Sequence, residues 1–275
     1  MRLSRSVMWA VSGLAAKREH RYRCPLLIGV LILPMWIPST LKAQGGPPYY
    51  TNDPGTPGSR NWEINLGYMP FLYTTQSTTH RPDVDINYGV GDRIQLTLET
   101  AWLRVRNGTQ PPKYGLEQDQ LGLKWRFYDH KSFAISLFPQ LSVNNPDHSV
   151  QRGITPPGAS IILPVEFTKK LGPIDVNWEA GYNAVHLGPD GWIAGLVAGK
   201  DISKKLELDA EFYQLATFDH SQNQLTVDAG ARYRLHPPFI LLLMAGRSVE
   251  AASKGQPYFI GYFGMQFLLP PKPFE

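Results

Sequence analysis

The stretch Asp83-Val84-Asp85-Ile86-Asn87-Tyr88-Gly89-Val90, followed after a short break by Ile94-Gln95-Leu96-Thr97-Leu98-Glu99, decides the fold. Val84, Ile86, Tyr88 and Val90 alternate with Asp83, Asp85, Asn87 and Gly89, and Ile94, Leu96 and Leu98 alternate with Gln95, Thr97 and Glu99. A period of two is the strand period, so each stretch has one apolar and one polar face. The break Gly91-Asp92-Arg93 reads as the turn of a hairpin.

Working outward, the same alternation recurs in Trp62–Tyr68, Gln120–Phe127, Ile174–Tyr182, Leu206–Phe212, Leu225–Tyr233 and the aromatic segment Tyr258–Leu269, for twelve segments in all. No helical stretch lies between them. The sequence therefore predicts an all-β protein, and closure into a barrel is the simplest way to remove the edges of so large a sheet. The connections alternate in length. Gly89–Arg93, Asp129–Ser132, Lys169–Pro173, Asp201–Lys205 and Leu235–Pro238 are tight turns, whereas residues 74–82, 104–116, 144–159, 219–223 and 248–256 form longer loops, with 187–191 the short exception among them. Short turns on one rim, longer loops on the other and an even strand count predict a single antiparallel up-and-down transmembrane β-barrel of about 12 strands. Aromatic residues near strand ends, among them Trp62, Tyr68, Tyr88, Trp102, Trp125, Phe127, Trp178, Tyr182, Tyr233, Phe263 and Phe267, suit the two girdles at membrane–water interfaces. The competing reading is a soluble β-sandwich in which the apolar face is an ordinary core.

Residues 1–43 read as a secretory signal: Lys17, Arg18, Arg21 and Arg23 precede the apolar run Pro25–Pro38, and a small residue, Ala43, marks the cleavage site. The apolar run is short for a spanning helix. Residues 44–61, rich in Gly and Pro, form an extended entry segment, residues 62–269 the barrel and residues 270–275 a C-terminal tail. Seven of the 27 Lys and Arg and one of the 23 acids fall within residues 1–43, leaving 20 bases and 22 acids, net −2. The basic balance thus belongs to the signal, and nucleic acid is excluded as a partner. Cys24, the single cysteine, also lies there, so the remaining chain has no disulfide, zinc–thiolate site or thiol nucleophile.

Two segments, Trp192–Gly199 and Phe239–Gly246, are apolar on both faces, so their inward side chains must be small or pack on something inside the barrel. Pro139 and Pro164, in neighbouring strands, cannot donate to the ladder and predict a shared bulge or kink.

The segments Asn87–Val90 into Ile94–Leu98, Leu121–Phe127, Lys204–Leu208 and Asp228–Arg234, with the entry motif Gly46-Pro47-Pro48 followed by Thr51-Asn52-Asp53-Pro54, resemble the outer-membrane barrels named for the meta-pathway of phenol degradation. The resemblance spans most of the chain after the signal and rests on strand-and-turn patterns. It implies a channel or transport protein of the outer membrane, with aromatic compounds among its solutes, and supplies no catalytic residues.

If the apolar face meets lipid, the other face lines the lumen. Its acids are Glu63, Asp83, Asp85, Glu99, Glu166, Asp175, Glu179, Glu207, Asp209, Glu211 and Asp228, and its bases are Lys124, Arg126, Arg232 and Arg234. An acid-rich lumen favours cations; a salt-bridged interior that braces the barrel is the alternative. The tripeptides Asp147-His148-Ser149 and Asp219-His220-Ser221 contain the residue types of a hydrolase triad, but adjacent residues on an extended chain point apart. His186, near a strand end, has no serine partner assignable from sequence. No phosphate loop, dinucleotide fingerprint or His/Cys cluster is present, so no catalytic residue, metal site or cofactor is expected. The leading expectation is an outer-membrane channel or uptake porin passing small solutes by diffusion through a polar, acid-rich lumen, with outer-membrane lipid as its surroundings. An outer-membrane lipid-modifying hydrolase and a structural or adhesive barrel acting through its loops are the alternatives.

Overall fold

Residues with alternating polarity pair with their sequence neighbours into one antiparallel sheet that closes on itself. The structure, a computed structural model, describes residues 46–250, 252 and 255–270; the expected signal segment and most of the C-terminal tail lie outside the described residues. The strands are β1 (Trp62–Leu72), β2 (Gln76–Val90), β3 (Ile94–Asn107), β4 (Lys113–Leu116), β5 (Asp119–His130), β6 (Phe133–Leu137), β7 (Gln140–Val143), β8 (Ser160–Leu171), β9 (Ile174–Val185), β10 (Gly191–Asp201), β11 (Leu206–Thr217), β12 (Asn223–His236), β13 (Phe239–Ser248) and β14 (Phe259–Leu269). Strand β14 returns to β1, with Trp62 opposite Leu269 and Leu72 opposite Phe259, and this pairing closes the barrel.

Twelve staves make the wall. Strands β6 and β7 form one stave, interrupted at Phe138 and Pro139. On either side of the gap the register with β8 is the same, Leu137 opposite Val165 and Gln140 opposite Ile162. The expected bulge at Pro139 and Pro164 is therefore an interruption without an inserted residue. Proline has no N–H to donate, but the flanking groups are satisfied: Phe138 N–H donates to the Pro164 carbonyl and Leu123 N–H to that of Pro139. Strand β4 stands outside the wall. The long β3 pairs with β5 from Ile94 to Glu99 and with β4 from Trp102 to Val105, so its end projects beyond the barrel as a hairpin.

The turn rim carries the tight connections. Gly91 and Gly172 adopt left-handed φ values of 63° and 62° there, a conformation glycine takes without steric cost. The loop rim is shorter than expected at two points: of the expected loop 104–116, residues 104–107 belong to β3 and 113–116 to β4, and the β1–β2 connection is shortened as well. Strands β1 and β2 run on until only residues 73–75 join them, so residues 76–82 of the expected loop belong to β2, paired except at the bulged Arg81 and Pro82.

The two faces settle which solvent the wall meets. On β5, Leu121, Leu123 and Trp125 are about half exposed on the outside (50%, 48% and 50%), while the alternating Lys124 and Arg126 are buried (4% and 8%). A water-soluble protein hides the first set and shows the second. Leu66, Leu98, Leu196, Phe212 and Phe263 continue the exposed apolar belt around the barrel, an outer surface that only lipid can cover. At the turn rim aromatic rings cluster from stave to stave: Trp62 lies 4.6 Å from Tyr88, Phe167 stacks on Trp178 at 5.2 Å and 8°, and Phe239 meets Phe267 edge-on at 5.5 Å. Tyr182 and Phe218, 5.7 Å apart, serve the loop rim with Trp102 and Tyr258. These rings occupy the positions of the two interfacial girdles.

Leu196, near the centre of β10 and exposed, tests this assignment. The substitution Leu196→Arg is expected to destabilise the membrane-inserted barrel by about 2–4 kcal/mol, the cost of a basic side chain at the bilayer midplane. Urea titration of the barrel refolded in phospholipid vesicles measures it, and an unchanged midpoint would take this face out of the lipid.

Candidate functional site

Charge sits inside the barrel because strand parity puts it there. Of the residues expected to face the lumen, Asp85, Lys124, Arg126, Glu166, Glu179, Glu207, Asp209, Glu211, Asp228 and Arg232 are buried. Glu63, Asp83 and Glu99 are partly buried and border internal cavities. Asp175 and Arg234 lie at the turn rim instead, where Lys170 reaches Asp175 at 3.1 Å and Arg234 holds Asp201 at 2.8 Å and Glu207 at 2.6 Å. Part of the charge braces the wall. Lys124 lies 3.4 Å from Glu166, whose carboxylate also accepts the Ser136 hydroxyl at 2.5 Å. Asn65 and Asn87 donate to Asp85 at 2.9 and 3.0 Å, and Gln95 extends this amide ladder to Asn87 at 2.7 Å.

The lumen also holds residues of the entry segment, a feature that strand periodicity does not reveal. The Tyr50 and Thr51 N–H groups donate to the two oxygens of Glu211 at 3.1 and 2.6 Å. The Tyr49 hydroxyl donates to Asp209 at 3.1 Å, Arg232 donates to the carbonyls of Gly46 and Pro47 at 3.0 Å, and Lys124 donates to the Asp53 carbonyl at 2.5 Å. The segment then leaves toward the turn rim, where the Thr56 hydroxyl reaches the Asp92 carbonyl. Gly195 explains the close approach: a Cβ there would lie 2.1 Å from the Thr51 hydroxyl oxygen.

Inward apolar residues meet this segment. Tyr49 packs with Met69, Val197, Leu242, Met244, Ile260 and Tyr262 in one buried cluster. The runs Trp192–Gly199 and Phe239–Gly246 thus turn part of their apolar content inward onto Tyr49, as their two-sided composition required. This buried apolar cluster, on β1, β10, β13 and β14, interrupts the charged inner face of the wall.

The β7–β8 loop folds inward too. Ile154 is buried against Ala101, Leu103 and Val105. Asp147 fastens the loop, accepting from the Leu116 N–H at 2.8 Å, the Ser149 hydroxyl at 2.5 Å and Arg152 at 3.1 Å. Partial burial would raise the pKa of Asp147, but those hydrogen bonds, the Ser149 N–H and the Arg152 charge hold it below its ordinary value. Ser221 likewise donates to Asp219 at 2.7 Å. In both triad-like tripeptides the serine hydroxyl is engaged by its aspartate, the pattern of a loop-capping turn.

A bulge creates one pair that simple parity forbids. The β2–β3 register shifts between His80 and Asp83, so two residues three apart face the same way. His80 Nδ1 lies 2.9 Å from Asp83 and 3.5 Å from Glu117.

Spaces of about 420 and 30 Å³ lie beside the entry segment and one of about 170 Å³ lies between β2, β3 and the start of β5, and Glu99 borders each of them. The largest reaches from Gly46–Tyr50 to Ile154–Pro156 of the inward loop. Superposition on solved structures matches the barrel fold. The chain has the fold of outer-membrane channel barrels. An outer-membrane channel from Pseudomonas putida F1 aligns over 82% of this chain and 100% of its own, with a TM-score of 0.61 and 12% identity. The KdgM porin, solved with disordered oligogalacturonate, aligns over 74% and 98% with a TM-score of 0.54 and 9% identity. The NanC porin aligns over 76% and 99% with a TM-score of 0.53 and 6% identity. No family model matches the sequence, and comparison with curated proteins gave no match. The closed barrel, its apolar exterior and these likenesses make the chain an outer-membrane β-barrel.

Proposed function

We propose that the protein is a passive outer-membrane channel for small solutes, narrowed by its own entry segment and by the inward β7–β8 loop. The observation that carries this reading is the set of spaces along the acidic wall that share Glu99 as a lining residue. A bracing interior would be filled, whereas here the carboxylates border open volume. Small barrels fill their interiors with side chains; this one is partly filled by a segment held through its own chain, a set of polar contacts and the packing of Tyr49 and Tyr50. An acid-lined path favours cations over anions. The motifs shared with the phenol meta-pathway barrels support aromatic compounds among the solutes, and the apolar cluster inside the barrel offers such compounds a surface. The lumen candidates named from sequence are read as the polar wall of this path, with Glu99 on all three spaces and Asp175 and Arg234 at its turn-rim mouth.

Planar-bilayer recording of the refolded barrel in a salt gradient tests the reading. Stepwise conductance with a reversal potential of the cation-selective sign is expected, and a folded barrel that passes no current would overturn it. In the same assay Glu99→Lys is expected to move the reversal potential toward anion preference, because it reverses a charge on the wall of all three spaces. An unmoved potential would place the conducting path elsewhere.

A further inference from the structure

We propose that the largest lumenal cavity is a binding site for an organic cation with a ring-sized apolar body, such as an arylalkylammonium ion. The inference rests on the reading of the lumen as a solute path and names the chemistry that the path would retain.

The cavity encloses about 420 Å³, within the range of small-molecule sites. Its wall is chemically mixed. Asp83, Asp85, Glu99, Glu117 and Glu179 border it, and no lysine or arginine does. His80 answers Asp83 and Glu117 alone. Glu179 is 2% exposed, and among the contacts described its carboxylate meets the Asn52 backbone N–H and no ion-pair partner within 4 Å. A buried carboxylate left in that state is costly unless a cation or a further donor meets it.

The same cavity is also lined by rings. Tyr50 of the entry segment stacks on Tyr213 at 5.2 Å and 26°, and Phe71 and Tyr262 border the same space. The Tyr262 hydroxyl is buried and lacks a partner among the described residues. Ring faces attract cations and stack on aromatic bodies. A metal ion fits this wall poorly. Among the described residues no three His, Cys, Asp or Glu converge to hold one, and a bare ion would leave the rings unused. An ammonium head toward Glu179 with an aryl body against Tyr213 and Phe71 uses both the acids and the rings.

The test is calorimetric titration of the detergent-refolded barrel with phenethylammonium, with phenethyl alcohol and phenylacetate as the neutral and anionic counterparts. Saturable binding of phenethylammonium is expected, with the alcohol markedly weaker and phenylacetate not bound. Glu179→Gln should weaken the ammonium ion by about tenfold or more, the loss of one charge-assisted contact. Tyr213→Leu should weaken the ammonium and the alcohol together. Heat-dependent gel mobility verifies that each variant is a folded barrel, and Asp83→Asn serves as a second acidic variant if Glu179→Gln does not refold. Equal binding of ammonium and alcohol, no binding of either, or folded acidic variants with unchanged affinity would overturn the proposal. Binding without current would overturn the channel and leave this site standing; current without binding would do the reverse.

Discussion

A barrel lacking residues 46–57 is expected to conduct several-fold more current per open channel than the intact chain. Those residues occupy the lumen between Arg232, Asp209, Glu211 and Lys124, and the segment is tethered through Arg60 and Asn61 to the turn-rim end of the wall. Its removal takes out backbone and side chains that no other element replaces. Glu211 loses two N–H donors and Asp209 the Tyr49 hydroxyl, but in a widened lumen water takes their place, so the barrel is expected to fold. The substitution Gly195→Val makes the same point without a deletion. Its Cβ would sit 2.1 Å from the Thr51 hydroxyl oxygen and 3.0 Å from the Thr51 Cβ, so the segment must shift from its seat and larger conductance steps should appear. Single-channel recording measures both. Unchanged conductance in the deletion variant would mean that the segment does not narrow the conducting path.

Removing the Lys124 ammonium group is expected to cost stability rather than current. Lys124 and Glu166 have side-chain exposures of 5% and 0%, and the lysine also holds the Asp53 carbonyl and covers the Phe138 ring at 4.5 Å. Lys124→Met keeps the volume and leaves Glu166 as an uncompensated buried charge beside Ser136. Breaking one partner of a buried pair costs about 3–5 kcal/mol, and urea unfolding of the refolded barrel should show a loss of that size. The double variant Lys124→Met with Glu166→Gln should recover most of it, because no unpaired charge is then left inside. A single variant as stable as the parent would mean that water already solvates Glu166.

The two experiments separate the lumenal roles of charge. Lys124, Glu166 and the Asn65–Asp85–Asn87 ladder hold staves together, and the contacts on Asp209, Glu211 and Arg232 hold the entry segment. Glu99 is bound into neither set, and Glu179 meets the entry segment only through the Asn52 N–H. They border the remaining space, which is why selectivity and binding are tested there.

The local alternation of the chain determined the strands, the rims and the wall. Val84, Ile86 and Tyr88 against Asp83, Asp85 and Asn87 assigns each side chain a face before any partner is known, because strand parity is a property of consecutive residues. The clustering of Trp62, Tyr88, Trp178 and Phe267 near strand ends, and the short turns around Gly91 and Gly172, marked the rims for the same reason. Only tertiary structure decided what fills the barrel. The contact between Tyr49 and Asp209 spans 160 positions, and nothing in the Gly- and Pro-rich composition of residues 44–61 states that it turns inward. The apolar content of Phe239–Gly246 required some packing partner inside, but closure alone supplied Tyr49 as that partner. The bulge at Arg81 and Pro82 sets His80 beside Asp83 against simple parity, as the register shift after Arg126 sets that residue beside Asp129, and the inward course of Ile154 depends on the projecting end of β3. Periodicity reports which face a residue occupies; the occupants of the enclosed space depend on which distant segments closure brings together.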